Sequence, residues 1–251
     1  MAFTVIIPAR YASTRFPGKV LYPIQGKPMV QHVYERAVAS GADQVVIATD
    51  DERVKIACEA FNAPVCMTAE EHRSGTERIA EAVEALELDA ETIVVNVQAD
   101  EPLIPPSIIR QLGEHLDEYE HAKMATVCEP LTSVKDLFNP NVVKVVMSQR
   151  GYALYFSRAP IPWEQPVFNQ SQEAIELKGQ HWRHCGLYAY RADFLKTYIE
   201  WERCPLSEAE DLEQLRVLWH GGRIHLAIAQ EKLPPEINTL EDLKKLEECF
   251  S

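Results

Sequence analysis

No stretch of this chain comes near the ~18 consecutive apolar residues that a bilayer-spanning helix needs. A secretory leader is lacking too, because the apolar run from Phe3 to Ile7 is short and breaks at Pro8-Ala9-Arg10. Both absences predict a cytoplasmic protein. The six cysteines (Cys58, Cys66, Cys128, Cys185, Cys204 and Cys249) form no C-x-x-C pair and have no histidine at zinc-site spacing. Cys66, Cys128 and Cys185 sit inside apolar runs, so reduced core thiols are expected rather than a disulfide framework. Internal repeats and low-complexity segments are also missing. Cations are in deficit: 25 Lys and Arg against 38 Asp and Glu leave a formal charge of −13. Such a field repels nucleic acid and anionic membrane. Any phosphate-binding site must therefore be local, and its ligand a small molecule.

What is present is the composition of an ordinary globular protein, 251 residues with 46% hydrophobic, enough for a sizeable core. The first half alternates strand and helix signals. Phe3–Ile7 reads as a buried strand and Met29–Ser40 as a helix with Val30, Val33, Ala37 and Val38 on its apolar positions, closed by Gly41. Gln44–Thr49 is a second strand, and Asp50-Asp51 caps a helix from Glu52 to Phe61. Pro64–Met67, Thr76–Leu86 and Thr92–Gln98 continue as strand, helix and strand. Apolar strands alternating with amphipathic helices predict a parallel sheet covered on both faces.

After about residue 121 the pattern turns strand-rich. Met124–Cys128, Val142–Ser148, Tyr152–Ser157, Cys185–Tyr190 and Ile224–Ala229 are strand-like, with helices at Asp193–Glu200 and Glu208–Trp219. Gln149-Arg150-Gly151 between two strand runs signals a hairpin, so antiparallel additions are expected. Glu164–Gly179 is polar and aperiodic, a loop or small insert. A last helix is expected from Asn238-Thr239 to about Phe250.

The densest chemical signal lies in VIIPARYASTRFPGK, Val5 to Lys19. Arg10, Arg15 and Lys19 fall within ten residues, interleaved with Ser13, Thr14 and Gly18, where a buried strand presents its carboxyl end. Guanidinium forks and a lysine point charge suit a polyphosphate. A solvated basic turn is the plainer alternative. Nothing matches the Walker pattern, which disfavours P-loop chemistry. EHRSGTERIAE, from Glu71 to Glu81, sets Ser74 and Thr76 before a helix, as anion or base contacts or merely as caps. Arg78 in that first turn opposes the helix dipole, which favours a ligand-directed role. In VVNVQADEP, from Val94 to Pro102, Asp100 follows a buried strand and is a metal candidate, or else a turn former. Gln98 is a nucleotide candidate. In YFSRAPIP, Tyr155 to Pro162, Arg158 ends a strand before a proline-stiffened loop, and in WRHCGLYAY, Trp182 to Tyr190, Arg183 and His184 start another strand. Arg with His suits a carboxylated substrate, whereas a rim arginine and a core histidine are the plainer reading. Glu213 lies in LEQLR, which reads as ordinary amphipathic helix.

Together, IIPARYASTRFPGK, GKPM, ATDDERV, HRSGTER, NVQADEP, GYALYFSRAPIPW, RHCGLYAYR and LEQLRVLW resemble the 3-deoxy-manno-octulosonate (Kdo) cytidylyltransferases over nearly the whole chain. The resemblance implies a mostly parallel, Rossmann-like α/β sheet of nucleotide-diphospho-sugar transferase type with an antiparallel second lobe, in one domain. Its nucleotide-binding part would run to about residue 120, its sugar-binding and dimerisation part to about 225, and a C-terminal return to the end. It implies a homodimer that joins CTP to an eight-carbon acidic sugar, releasing pyrophosphate and activating the sugar for lipopolysaccharide. By resemblance Arg10, Ser13, Arg15 and Lys19 grip the triphosphate, and Ser74, Arg78 and Gln98 meet the nucleotide. Asp100 holds Mg²⁺, Lys19, Arg15 and Asp100 carry catalysis, and Arg158, His184 and Glu213 line the sugar site. Positioning and charge neutralisation serve such a reaction, and no Ser/His/Asp constellation is found.

One departure stands out. The resembled family carries V-D-T near its C-terminus, its Asp a second metal ligand, whereas this chain has Ile237-Asn238-Thr239. Asn238 keeps an oxygen donor and loses the charge a hard cation prefers. Two readings are open: a sugar site retuned for the 8-amino-8-deoxy analogue of Kdo, or Glu236 supplying the missing carboxylate. Cytidylyl transfer to another acidic sugar such as a sialic acid, and nucleotide-sugar binding without catalysis, are the alternatives.

Overall fold

The computed structural model describes residues 2–12, 16–72, 74–165, 167–168 and 176–234. The buried run Phe3–Pro8 forms β1, followed by a short 3-10 turn at Lys19–Leu21 and the small ribbon β2 (Pro23–Ile24) and β3 (Lys27–Pro28). Helix α1 (Met29–Ala39), β4 (Gln44–Thr49), α2 (Glu52–Glu59), β5 (Val65–Met67), α3 (Gly75–Ala85) and β6 (Ile93–Asn96) complete the alternating half. Asp51 caps α2 by accepting from the Arg53 amide, as its position predicts. Next come α4 (Pro106–Glu118), β7 (Met124–Pro130), α5 (Val134–Leu137), β8 (Lys144–Met147), β9 (Ala153–Ser157) and β10 (Trp182–Arg191). Helices α6 (Ala192–Glu200), α7 (Pro205–Glu210) and α8 (Leu215–Trp219) precede β11 (Ile224–Ile228).

One nine-stranded sheet runs β11-β7-β10-β6-β1-β4-β5, with β8 pairing β10 and β9 pairing β8. Strands β6, β1, β4 and β5 are mutually parallel, and β10 enters antiparallel to both β6 and β7. The antiparallel additions therefore extend the main sheet. Alternate strand residues feed opposite layers. Val5, Ile7, Ile47 and Val95 meet α1, α2 and α4, whereas Ile6, Val46 and Val94 meet α3, α6 and α8.

Two elements differ from the sequence pattern. Helix α4 lies in a stretch left unassigned above; Pro106 opens it, and Ile108, Ile109, Leu112 and Leu116 supply its buried stripe. The helix expected over Glu208–Trp219 is broken in two. Asp211 adopts a left-handed conformation (φ 50°, ψ 50°) that ends α7, so Leu212–Gln214 forms a bend before α8. The helix expected after Asn238 lies outside the described residues, as does half of Glu164–Gly179.

Candidate functional site

The site forms at the carboxyl ends of β1, β4, β5 and β6, where the parallel strands point into a common crevice. Gly18 turns the chain there with φ 73°, and an added Cβ would stand 3.0 Å from the Tyr11 ring. The turn delivers Lys19, buried but for its tip, to the end of β6. Its Nζ donates to Asp100 Oδ2 at 2.6 Å. Arg10 is exposed just past β1. Ser13 and Arg15 lie outside the described residues.

Helix α3 closes the crevice from the other layer. Gly75 starts it so near β1 that a Cβ would meet Pro8 at 3.3 Å and the Gln98 amide at 3.7 Å. Ser74, not Thr76, is the N-cap, accepting from the Glu77 amide at 3.2 Å. Thr76 instead donates its hydroxyl to Glu213 Oε1 at 2.8 Å. Gln98 donates to Asn96 Oδ1 at 3.0 Å. Arg78 is buried, with its guanidinium on Asp50 at 3.2 Å and also donating to Thr68 and the Ala69 carbonyl. Its protein partners tie together the ends of β4 and β5, a strand-bracing task that the dipole argument does not foresee.

Ser74 and Glu213 line one cavity of about 540 Å³, with Glu77, Glu208, Asp211, Arg203 and Arg216 among the other walls. Glu213 reaches solvent through the cavity mouth, yet protein crowds it on the remaining sides. That desolvation pushes its carboxyl up, opposed by the Thr76 hydroxyl and by Arg216. Glu213 remains solvent-accessible, as its sequence suggests, and follows the break at Asp211 with its carboxylate on Thr76.

Arg158 is gripped from every side. Its backbone amide donates to Glu210 Oε2 at 2.8 Å, and its guanidinium donates to the carbonyls of Glu210 (2.6 Å), Pro140 (3.0 Å) and Asp211 (3.2 Å). Its own carbonyl accepts from Lys144 Nζ at 2.5 Å. Lys144 is fully buried and also donates to the carbonyls of Asn139 and Val142, while burial lowers its pKa. Arg158 thus fastens the bend before Glu213 to the end of β9. A lone lysine inside the apolar run Val142–Ser148 was the sequence signal for this anchor.

His184 stands on β10 in the sheet interior. It is buried against Phe156 and Tyr188, with Nε2 and the Thr126 hydroxyl 2.9 Å apart. Desolvation pushes its pKa down to about 3, which favours the neutral ring. Arg183 pairs instead with Glu129 across the sheet at 3.1 Å. Among the described residues no three His, Cys, Asp or Glu side chains form a self-sufficient metal cage. An accessible carboxylate, Asp100, beside the Lys19 ammonium is nonetheless a donor that suits Mg²⁺ when other oxygen ligands complete its shell. Asn238 and Glu236 lie outside the described residues.

Comparison with known proteins agrees with this architecture. The family model described as "Cytidylyltransferase" matches residues 4–228. A 3-deoxy-manno-octulosonate cytidylyltransferase of Coxiella burnetii (strain Dugway 5J108-111) is 56% identical over 250 residues, covering 100% of both chains. The chain belongs to the 3-deoxy-manno-octulosonate cytidylyltransferase family. A second such cytidylyltransferase, from Idiomarina loihiensis, is 54% identical over 245 residues, 98% of this chain and 97% of the relative. A solved CMP:2-keto-3-deoxy-manno-octonic acid synthetase complexed with CTP superposes with a TM-score of 0.89 at 38% identity, covering 100% of this chain and 98% of that one. The α/β fold expected for this cytidylyltransferase family is therefore the one observed, and the chain is a CTP-dependent nucleotidyltransferase. No helix among the described residues is long and apolar enough to cross a membrane.

Proposed function

We propose that this cytidylyltransferase transfers CMP from CTP to the anomeric hydroxyl of Kdo at the strand-end crevice, and that it works as a homodimer. The Lys19–Asp100 pair carries the reading: a nearly buried cation and an accessible carboxylate meet at the carboxyl ends of β1 and β6. The anomeric oxygen bonds to the α-phosphorus as the α–β bridging bond breaks, the hydroxyl proton is released, and pyrophosphate leaves. Lys19, Arg10 and Arg15 bind the triphosphate, with Ser13 beside them. Ser74 and Gln98 orient the nucleoside end, and Arg78 holds the strand ends on which they stand. Glu213 orients the acceptor's hydroxyls from the cavity wall. Arg158 fixes the bend that carries it, and neutral His184 supports the floor. Asp100, with Asn238 or Glu236, would hold Mg²⁺, which when bound neutralises charge building on the phosphate oxygens.

One observation favours the 8-amino-8-deoxy analogue as acceptor. The cavity presents Glu77, Glu208, Asp211 and Glu213 against Arg203 and Arg216, an excess of carboxylate that suits an ammonium group. The names of the relatives support plain Kdo. Pyrophosphate release from CTP and Mg²⁺ with each sugar acid separates the readings. Efficient turnover of Kdo supports the first, and clear preference for the analogue supports the second. Silence with both, alongside turnover of a sialic acid, would overturn the assignment of acceptor.

A further inference from the structure

Arg53 is the second residue of α2, well outside the cation-rich loop in sequence. One carboxylate grips both edges of its guanidinium: Nε donates to Asp51 Oδ1 at 2.9 Å and Nη2 to Asp51 Oδ2 at 2.6 Å. Asp51 is itself fixed, because it caps α2 by accepting from the Arg53 amide at 2.9 Å. A flexible side chain is thereby held in one geometry before any ligand arrives. With the Arg53 side chain 61% exposed, this ion pair alone would contribute little. Its use lies in where it places the guanidinium. The fork lies over the face of the Tyr11 ring, its Cζ 3.5 Å from the ring centroid, a cation–π contact.

Tyr11 in turn is fastened to the turn that carries Lys19. Its carbonyl accepts from the Gly18 amide at 2.9 Å. Its phenol end faces Gly18 so closely that an added Cβ would meet the ring at 3.0 Å. Gly18 leads directly into the turn Lys19–Leu21, beside which α2 packs, and there the Lys19 Nζ meets Asp100 at 2.6 Å. Arg53, Tyr11, Gly18 and Lys19 are thus joined by consecutive contacts. They run from a helix seated on the sheet by Val54 and Cys58 to an ammonium at the crevice. Removing the guanidinium restores rotamer freedom to the ring, and the turn packed against it loosens.

We propose that Arg53 is a positioning residue for the triphosphate site: by stacking on Tyr11 it holds the Gly18 turn that aims Lys19. The assignment of Lys19 to the triphosphate rests on the function proposed above. The contacts from Arg53 to Lys19 rest on geometry alone. Arg53 supplies shape, and Lys19 supplies charge at the phosphates. A turn already set in its binding conformation needs less ordering when CTP arrives, and that difference appears as affinity.

The test uses the full-length chain. Amide hydrogen exchange at Gly18, measured without ligand, reports the bond to the Tyr11 carbonyl. R53M is expected to speed that exchange several-fold while thermal unfolding stays cooperative. The same variant should weaken CTP binding about three- to fivefold, the scale of one exposed cation–π contact, and leave KM for the sugar acid unchanged. In the Y11F background, which keeps the ring, R53M should keep its effect. In Y11L, which removes the ring, R53M should have no further effect on CTP affinity. An effect of equal size in Y11L would mean that Arg53 acts on the triphosphate directly, and overturns the proposal. Unchanged Gly18 exchange in R53M, or equal rises in both KM values, overturns it too. K19M separates this inference from the functional reading. Weaker CTP binding in K19M with none in R53M overturns the role of Arg53 alone. CTP binding to K19M as tight as to the parent overturns the placement of the triphosphate and this proposal together.

Discussion

Lys19 and Asp100 stand 81 positions apart in the chain, yet the Nζ of one lies 2.6 Å from the carboxylate of the other. The pair forms because β1 and β6 are neighbouring parallel strands, so the loops that leave them emerge side by side. This ion pair is the contact on which the proposed triphosphate and metal site rests.

Removing either member is expected to be costly in rate rather than in folding. K19M should lower kcat by about two orders of magnitude, the usual effect of losing one preorganised charge at a transition state. D100N should raise the Mg²⁺ concentration needed for half-maximal pyrophosphate release. Chelation should abolish turnover, with Mg²⁺ restoring it. Turnover by D100N at the parent's Mg²⁺ requirement would remove Asp100 from metal binding.

Ser74 offers a way to separate capping from ligand binding. S74A should destabilise the protein by about 1 kcal/mol, because the first turn of α3 loses its side-chain acceptor. S74G should cost only a few tenths of a kcal/mol, since glycine tolerates that position. If S74G is as stable as expected and its KM for CTP still rises several-fold, Ser74 contacts the nucleotide. An unchanged KM would leave it a cap alone.

Lys144 is expected to act through Arg158. K144M strands three buried carbonyls, those of Asn139, Val142 and Arg158, and should lower stability by about 2–3 kcal/mol. Its kinetic signature should be a raised KM for the sugar acid with little change in KM for CTP, since the disturbed bend carries Glu213. Denaturant titration and two-substrate kinetics check both parts. Equal effects on the two KM values would contradict the link to the acceptor side.

A pair of histidines far from the crevice sets a pH limit on stability. His115 Nε2 and His225 Nδ1 are 2.6 Å apart, and His225 Nε2 donates to the Arg150 carbonyl at 2.8 Å. His225 must be neutral for that arrangement, its Nδ1 accepting from His115 Nε2, and a charge on either buried ring is disfavoured. Burial pushes His115 down to about 4 and lowers His225 as well. Between the ordinary histidine value of 6.5 and about 4, the unfolded chain binds more protons than the folded one. The contribution is therefore complete above pH ~6.5 and is lost as pH falls toward ~4. Unfolding free energy measured across that window should fall with acidification, and H115Q should flatten the slope.

Much of the fold was legible in the primary structure. Apolar strands such as Phe3–Pro8 and Gln44–Thr49, alternating with amphipathic helices, announce a covered parallel sheet because backbone periodicity is local. Asp51 is legible as a cap for the same reason. Helix α4 carried its signals too, a proline at its start and a regular apolar stripe. The cation-rich loop after β1 and the carboxylate after β6 were recognisable by residue type, and the family by its blocks of sequence.

What periodicity could not reveal is which distant side chains meet. Thr76 and Glu213 are 137 positions apart, and their contact depends on a left-handed Asp211 that breaks an apparently continuous helix. The same limit hides the burial of His184 and Arg78, whose local sequence is as compatible with a ligand site as with the interior. Charge and burial are properties of surroundings, and strand order decides the surroundings. Residue types and local rhythm thus set the kind of fold and the chemistry on offer. The packing of β10 between β6 and β7, with α3 and α8 on one face, decided which polar groups share a cavity and which are spent holding it in place.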